Sequence, residues 1–504
     1  MDFLGARIQL NPRPVQRTKV ALEVGALGHC PGQARLDRLI DLTGILDDMR
    51  QAGFGDRVES ILAQSEIDGF AYSYKDLYHL PIPLRSSAEF DDIFPDARTV
   101  SSQYNSVLAG DKAWLPQTVD DFFANGGEKL WLVRIPEAEG VRGFLPHYQS
   151  PYDKTIDLRG VACLLSLSAL ALIVLPDLER LQIPTQLPDI PRKRLDNPHP
   201  RFLPLGTLID DGHRERRYGS ELPQVNDPLP LLTILRDLLT FTASQRPDIQ
   251  YLFTLPLSYS TAVASPCVDP DDLAALTTAS VNPDAYLLRQ VQLLFPYLRG
   301  RDEELRSPVG VIAGAIAASA KALGVWRSIA GVALVSQAQP FPQLNMQQTI
   351  ALRDQPGIGI LNQRVGQLTL DDECLVVPAL QRDDYVPALV SQSERLRSAR
   401  SSEVVRFLGY LVRELQALGE RLIFNTDATD PRPLLMLQSF FRNLYRAGAL
   451  RGAVVEDAFS ITRASAAENV IAFDIEIAPA YPIDKIVVTF INRDGEWASG
   501  VRNV

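Results

Sequence analysis

The sequence predicts an α/β (α+β) protein, and three observations carry that reading. Val119 to Ala124 has helical character and stops at Asn125-Gly126-Gly127, a left-handed C-cap signature, before the strand-like run Lys129 to Ile135. Helix, glycine stop and strand in that order form a unit of an α/β layer. Ala171 to Leu175 and Gln250 to Leu255 are apolar runs of strand length, as expected of strands buried on both faces. At 504 residues the chain is expected to hold two or three domains.

Composition narrows the class. A hydrophobic fraction of 46% and a charged fraction of 22% are those of an ordinary globular protein. The net charge of −11, with no run of Lys and Arg that supplies a basic face, argues against nucleic-acid binding, which needs a face that neutralises phosphates. Arg214-Glu215-Arg216-Arg217, beside Asp210 and Asp211, reads as a solvated loop. Cys30, Cys163, Cys267 and Cys374 lie far apart, without the ligand spacing of a zinc site or a disulfide framework, and are expected to be reduced. The opening MDFLGARIQL lacks the basic and apolar regions of a secretory signal. Val161 to Leu175 is apolar but too short to span a bilayer, and is expected as a short buried helix followed by a strand.

Along the chain, residues 1 to about 17 hold a short β-like stretch, Ala6 to Leu10, followed by Pro12 and Pro14, which suggests an arm. Lys19 to Val24 reads as a first core strand that enters a loop at Gly25 and Gly28. Leu36 to Met49 has the apolar spacing of one amphipathic helix. Glu179 to Pro247, rich in proline, reads as an insertion with a helix at Leu229 to Phe241. Tyr286 to Leu298 is expected to be a helix. Val309 to Leu323, rich in alanine and glycine, is a second one that must pack closely and ends at Gly324. The last quarter predicts helices at Glu403 to Leu418 and Leu434 to Ala447, and strands at Arg421 to Phe424, Ala458 to Thr462, Val470 to Ala478 and Lys485 to Ile491. Asn492 to Val504, polar with glycine, is expected to be a free arm.

Chemistry-bearing patterns fail one after another. Gly357-Ile358-Gly359 is a fragment of a dinucleotide fingerprint, but Asn362 stands where the third glycine belongs, so a turn between strands is expected. No phosphate loop and no GxSxG serine are present. His29, His79, His147, His199 and His213 offer no helical metal pair. Asp371-Asp372-Glu373 and Asp210-Asp211 could hold a hard cation, but acidic runs are usually solvated faces. No catalytic residue, metal ligand or cofactor is assigned.

Several blocks in order resemble the contractile tail sheath family, which serves contractile phages and phage-like injection systems. They are Val20 to Gly28, Leu80 to Phe94, Val119 to Ile135 (VDDFFANGGEKLWLVRI), Val291 to Gly331 with SPVGVIAGAIAASAKALGVWRSIAG, and Leu422 to Phe490 with its GAL turn. The family's opening "PGVY" motif is absent, and Gly366-Gln367-Leu368-Thr369 stands where the family has "GART".

The resemblance implies a mixed-sheet core built from N- and C-terminal parts, an inserted proline-rich subdomain and extended terminal arms. The divisions it suggests are 1–17 (arm), 18–176 (core), 177–247 (insertion), 248–374 (core), 375–484 (C-terminal sheath domain) and 485–504 (strand and arm). It implies a protomer that stacks as hexameric rings around an inner tube, contracts to drive the tube through a target envelope, and needs no cofactor. Implied partners are further copies of the chain, the tube protein, and baseplate and cap or terminator proteins. Nucleic acid and direct membrane insertion are not expected, and assembly would be cytoplasmic. Arms adding strands to a neighbour's sheet would place exchange at Arg7, Ile8, Gln9 and Leu10, and at Ile486, Val487, Val488, Thr489, Phe490 and Ile491. Packing would rest on Asn125, Gly126 and Gly127, on Gly324, Val325 and Trp326, and on Gly448, Ala449 and Leu450. A cap or baseplate-proximal variant is the alternative within the family. An α/β enzyme with a dispersed active site is the alternative outside it.

Overall fold

The computed structural model describes residues 21–68, 74–75, 77–100, 109–147, 158–183, 230–259, 266–268, 270–279, 283–301, 304–353, 357–364, 366–376, 401–421, 430–464, 470–480, 486–493 and 496–503. Arg7 to Leu10, Asp210 to Arg217, His199 and most of Arg421 to Phe424 lie outside them.

A mixed sheet of nine strands carries the core. Its strands are β1 (Glu23–Gly28), β2 (Ile82–Leu84), β3 (Leu130–Arg134), β4 (Leu170–Val174), β5 (Gln250–Thr254), β6 (Val291–Phe295), β7 (Ala333–Leu334), β8 (Ile358–Arg364) and β9 (Gln367–Leu370). They lie in the order β7-β9-β8-β6-β5-β4-β1-β3-β2. From β3 across to β8 neighbouring strands run parallel, and antiparallel strands close both edges. β3, β4, β5 and β6 are buried along their whole length, as apolar runs in a parallel sheet require.

Six helices frame the argument below: α1 (Trp114–Ala124), α2 (Pro176–Arg180), α3 (Leu231–Gln245), α4 (Val309–Leu323), α5 (Ser402–Glu420) and α6 (Arg432–Arg446). A second, antiparallel sheet follows in simple meander order: β10 (Phe459–Ala464), β11 (Val470–Ile477), β12 (Ile486–Arg493) and β13 (Glu496–Asn503). Ile471, Phe473, Ile475 and Ile477 of β11 join the same continuous core as the large sheet. None of the described helices is long and apolar enough to cross a membrane.

Several sequence expectations are corrected. Tyr286 to Leu298 is not an α-helix. A 3-10 segment covers Pro283–Gln290, and Val291 then enters β6, paired with β5 and β8. A continuous apolar run is ambiguous between a buried helix and a buried strand, and pairing on both sides decided it here. β1 does not stop at its glycines. It runs through Gly25 and Gly28, where a Cβ would meet Leu164 Cδ1 at 2.5 Å and Asp177 Oδ2 at 2.4 Å. Leu36 to Met49 is two helices, Leu36–Asp41 and Ile45–Met49, broken at Gly44 with φ +84°. Gly359 lies inside β8 rather than in a turn, and only Gly357, at φ +88°, has turn geometry.

The stretch set apart as an insertion contains α2 and α3, whose Leu178, Leu231, Leu235 and Leu239 are in the core. Asn492 to Val504 is not a free arm in the chain. β13 pairs with β12 from Arg493↔Glu496 to Ile486↔Asn503. That register leaves Asp494-Gly495 between the strands, a dipeptide suited to a two-residue hairpin connection, and that signal was readable in the sequence.

Candidate functional site

The chain enters the parallel sheet at β1, lays β3 on one side of it, and then adds β4, β5, β6 and β8 on the other. Where the order reverses, beyond the carboxyl ends of β1 and β4, open α/β sheets have the crevice in which they bind ligands. Here that crevice is filled by the chain itself. Asp177, in the first turn of α2, accepts hydrogen bonds from the backbone N–H groups of His29, Trp114 and Leu115, each at 2.9 Å. Ala113, at the N-cap of α1, has no side chain able to cap, so the carboxylate of Asp177 satisfies the helix N-terminus from a distant part of the chain. Gly28 is required because Leu115 and Asp177 press on the end of β1.

Burial pushes Asp177 up to about 6, against the pull of Arg180 and the three N–H donors. Two residues on, Glu179 accepts from Thr254 N–H at 2.8 Å, and burial pushes its carboxyl up to about 8. Neither acid is exposed to a substrate, since both are fully buried.

Two histidines are buried among the described residues, His29 and His79. His79 Nδ1 accepts from Gly160 N–H at 3.1 Å, which places the ring proton on Nε2, 3.0 Å from Glu139 Oε2. Burial holds His79 below its ordinary range and His29 down at about 3. Cys30 and Cys163 are buried thiols pushed up to about 12 by burial.

The acidic run 371–373 is engaged within the protein rather than presented to a cation. Asp371 takes Arg353 and Arg364, and Asp372 accepts from Glu373 N–H. Glu373 Oε1 meets Arg406 Nη1 at 2.7 Å, and Oε2 meets Nη2 at 3.2 Å. Among the described residues no cluster of three metal-ligating side chains occurs.

The motif residues turn out to be joints. Gly126, at φ +88°, ends α1, and Gly127 N–H closes back on Phe122 O at 3.0 Å. Asn125 grips the backbone of Val335 from both sides, donating to its carbonyl at 2.9 Å and accepting its N–H at 2.8 Å. Gly310 and Gly314 of α4 lie against Thr118 and Phe122 of α1, where a Cβ would come within 2.6 Å and 2.3 Å of backbone oxygens. This is the close packing expected of the small-residue helix.

Gly324 ends α4 at φ +110°. Trp326 after it packs edge-on against Phe407 of α5 at 6.0 Å. Arg406 bonds the carbonyls of Val325 and Arg327, and Glu373 accepts from Ser328 Oγ and Ile329 N–H. Gly448, at φ +79°, turns the chain out of α6, Leu450 bridges Pro479, and Ala449 O accepts from Ala480 N–H.

The helix stops at Asn125-Gly126 and at Gly324 lie where the sequence predicts them. Sequence reasoning missed Asp177, Glu179 and Arg406, and read Glu373 only as part of an acidic run, since their partners lie far away in sequence and leave no local spacing. For Ile486 to Ile491 the structure places the backbone in β12, flanked on both sides by strands of the same chain.

The crevice of this α/β sheet is closed by the chain's own carboxylate. The chain has the contractile sheath fold. It superposes on the helical sheath of the anti-feeding prophage in its contracted state with a TM-score of 0.50 at 13% identity, over 96% of this chain and 97% of that one. It is also similar to the sheath complex of an extracellular contractile injection system, PVC, in its contracted state, with a TM-score of 0.49 at 13% identity over 96% and 95%. The sheath tail protein of Desulfitobacterium hafniense gives 0.46 at 10% identity over 99% and 100%. No protein-family model and no curated protein matches the sequence.

Proposed function

We propose that this chain is a sheath protomer that polymerises as stacked hexameric rings around an inner tube and contracts to drive the tube through a target envelope. The observation that carries the reading is the full-length likeness to the contracted anti-feeding prophage sheath. The plugged crevice supports it, because the place where an α/β enzyme of this topology would hold substrate is occupied by Asp177. The role is therefore structural and carried by surfaces.

The C-terminal sheet supplies a means of linkage. Among the described residues β13 is its edge strand, hydrogen-bonded on one side by β12. An extended arm from another copy, such as Arg7 to Leu10, would add there through main-chain hydrogen bonds. Because Ile486 to Ile491 is an interior strand of this sheet, exchange at the C-terminus moves the β12–β13 hairpin as a unit. Contraction then draws on the difference between two packings of rigid subunits and consumes no nucleotide.

The test is negative-stain electron microscopy of the concentrated protein, alone and with the tube protein of its own system. Hollow tubes built of six-fold rings are the expected result. Monomers under both conditions reject the sheath reading.

A further inference from the structure

Seven large apolar side chains are exposed among the described residues, and five of them belong to one stretch of the chain. They are Leu323, Val332, Val335, Met346 and Ile350, between 46% (Val332) and 80% (Met346) exposed. The fold gathers them at one end of the large sheet. β7 is its edge strand, with Val332 immediately before it and Val335 immediately after. Leu323 ends α4, which touches β7, and the helix Met346–Arg353 lies against β8, two strands further in.

The same stretch carries no charge. From Ser328 to Leu352 there is no Asp, Glu, Lys, Arg or His, although 22% of the whole chain is Asp, Glu, Lys or Arg. Edge strands are ordinarily protected by charged side chains or proline. β7 is short but has neither: Ala330, Gly331, Val332, Ala333 and Val335 are exposed, while Leu334 is in the core. The surface is also held in place. Asn125 fixes both backbone groups of Val335, and Gly331 N–H donates to Leu370 O at 2.8 Å. The helix Met346–Arg353 buries none of its own residues, and Asn345 and Gln348 pin its first turn by capping each other's N–H groups at 3.0 and 2.8 Å.

We propose that this uncharged, apolar end of the large sheet is a contact face for a second copy of the chain. With a net charge of −11 each, two copies repel one another. They approach most easily where neither presents a charge, and the centre of a protein interface is depleted in charged residues. A partner of opposite charge would be matched by ionised side chains, which this stretch lacks. A backbone already held by hydrogen bonds needs little further ordering on contact. This contact rests on the reading of the chain as a polymerising protomer, and adds which face a neighbouring copy covers.

The experiment is sedimentation of the full chain over a concentration series, with and without the tube protein of its system, and electron microscopy of the same samples. Val332→Asp with Val335→Asp is expected to raise the concentration needed for self-association by about ten-fold or more, since it places two charges in an apolar contact. Leu435→Asp with Val454→Asp adds the same charge at two exposed apolar positions outside the stretch, and is expected to associate like the parent. Unchanged thermal melting of both variants separates lost contact from lost folding. A parent that stays monomeric under both conditions, or a control pair that loses as much, overturns the proposal. Tubes from Val332→Asp with Val335→Asp at the parent's concentration overturn this face and leave the sheath reading standing. Oligomers other than tubes, lost in that variant and kept in the control, support the face and reject the sheath reading.

Discussion

Glu373 and Arg406 face each other as a two-point ion pair whose side chains are 0% and 2% exposed. Around it the loop after α4 is tied to α5, since Arg406 also bonds Val325 O and Arg327 O while Glu373 takes Ile329 N–H. α5 lies in turn against β13, so this pair sits on the path from the large sheet to the edge of the small one.

Removing one partner leaves the other charge buried. Arg406→Met is expected to lower unfolding free energy by about 3–5 kcal/mol, while Arg406→Met with Glu373→Gln loses distinctly less. Urea denaturation of the two variants checks this. Equal losses would mean that the ion pair is not the joint.

Glu179 makes stability depend on pH in a defined direction. Its carboxyl is raised from 4.5 in the unfolded chain to about 8 in the folded one, chiefly by burial. The protonated form therefore favours the folded state, and that contribution is complete below 4.5 and lost as the pH rises towards 8. Relative to the parent, Glu179→Gln is expected to gain in Tm across that window. Melting curves at its two ends decide the matter, and a constant difference contradicts the assignment.

The α1–α4 contact has no room for a side chain at Gly314, where a Cβ would lie 2.3 Å from Phe122 O. Gly314→Val is expected to destabilise by about 1–3 kcal/mol or more through overpacking, since backbone atoms cannot step aside. Gly366→Ala is the control for added bulk: its Cβ meets nothing within 4 Å, and its φ of +78° leaves only a backbone penalty. Thermal melting should rank the two clearly.

Deleting 496–504 removes β13 and leaves β10, β11 and β12 as a three-stranded sheet packed on the core. The truncated chain is expected to stay folded by circular dichroism and to lose the ability to form long tubes. Normal tubes from the truncation would falsify linkage through this edge. Deleting the whole of 486–504 exposes the edge of β11 as well and is the harsher variant.

Local pattern reached a long way. Val309 to Leu323 ends at Gly324 as its alanine and glycine content predicted, because small residues and a left-handed stop act within one helix. The Asn125-Gly126-Gly127 stop, the buried strands at Leu170 and Gln250, and α6 were legible for the same reason: capping and periodicity involve neighbours in sequence. What stayed hidden depends on partners far along the chain. Val291 to Phe295 became a strand because β5 and β8 lie on either side of it. Asp177 reads as an ordinary acid after a proline until folding sets it against Leu115, which is 62 residues away. The sequence by itself determined where the helices that end at Asn125-Gly126 and at Gly324 stop, since those choices rest on backbone sterics and nearest neighbours. Only the tertiary structure decided that the crevice is closed and that Glu373 meets Arg406, because burial and long-range hydrogen bonds give a carboxylate its role.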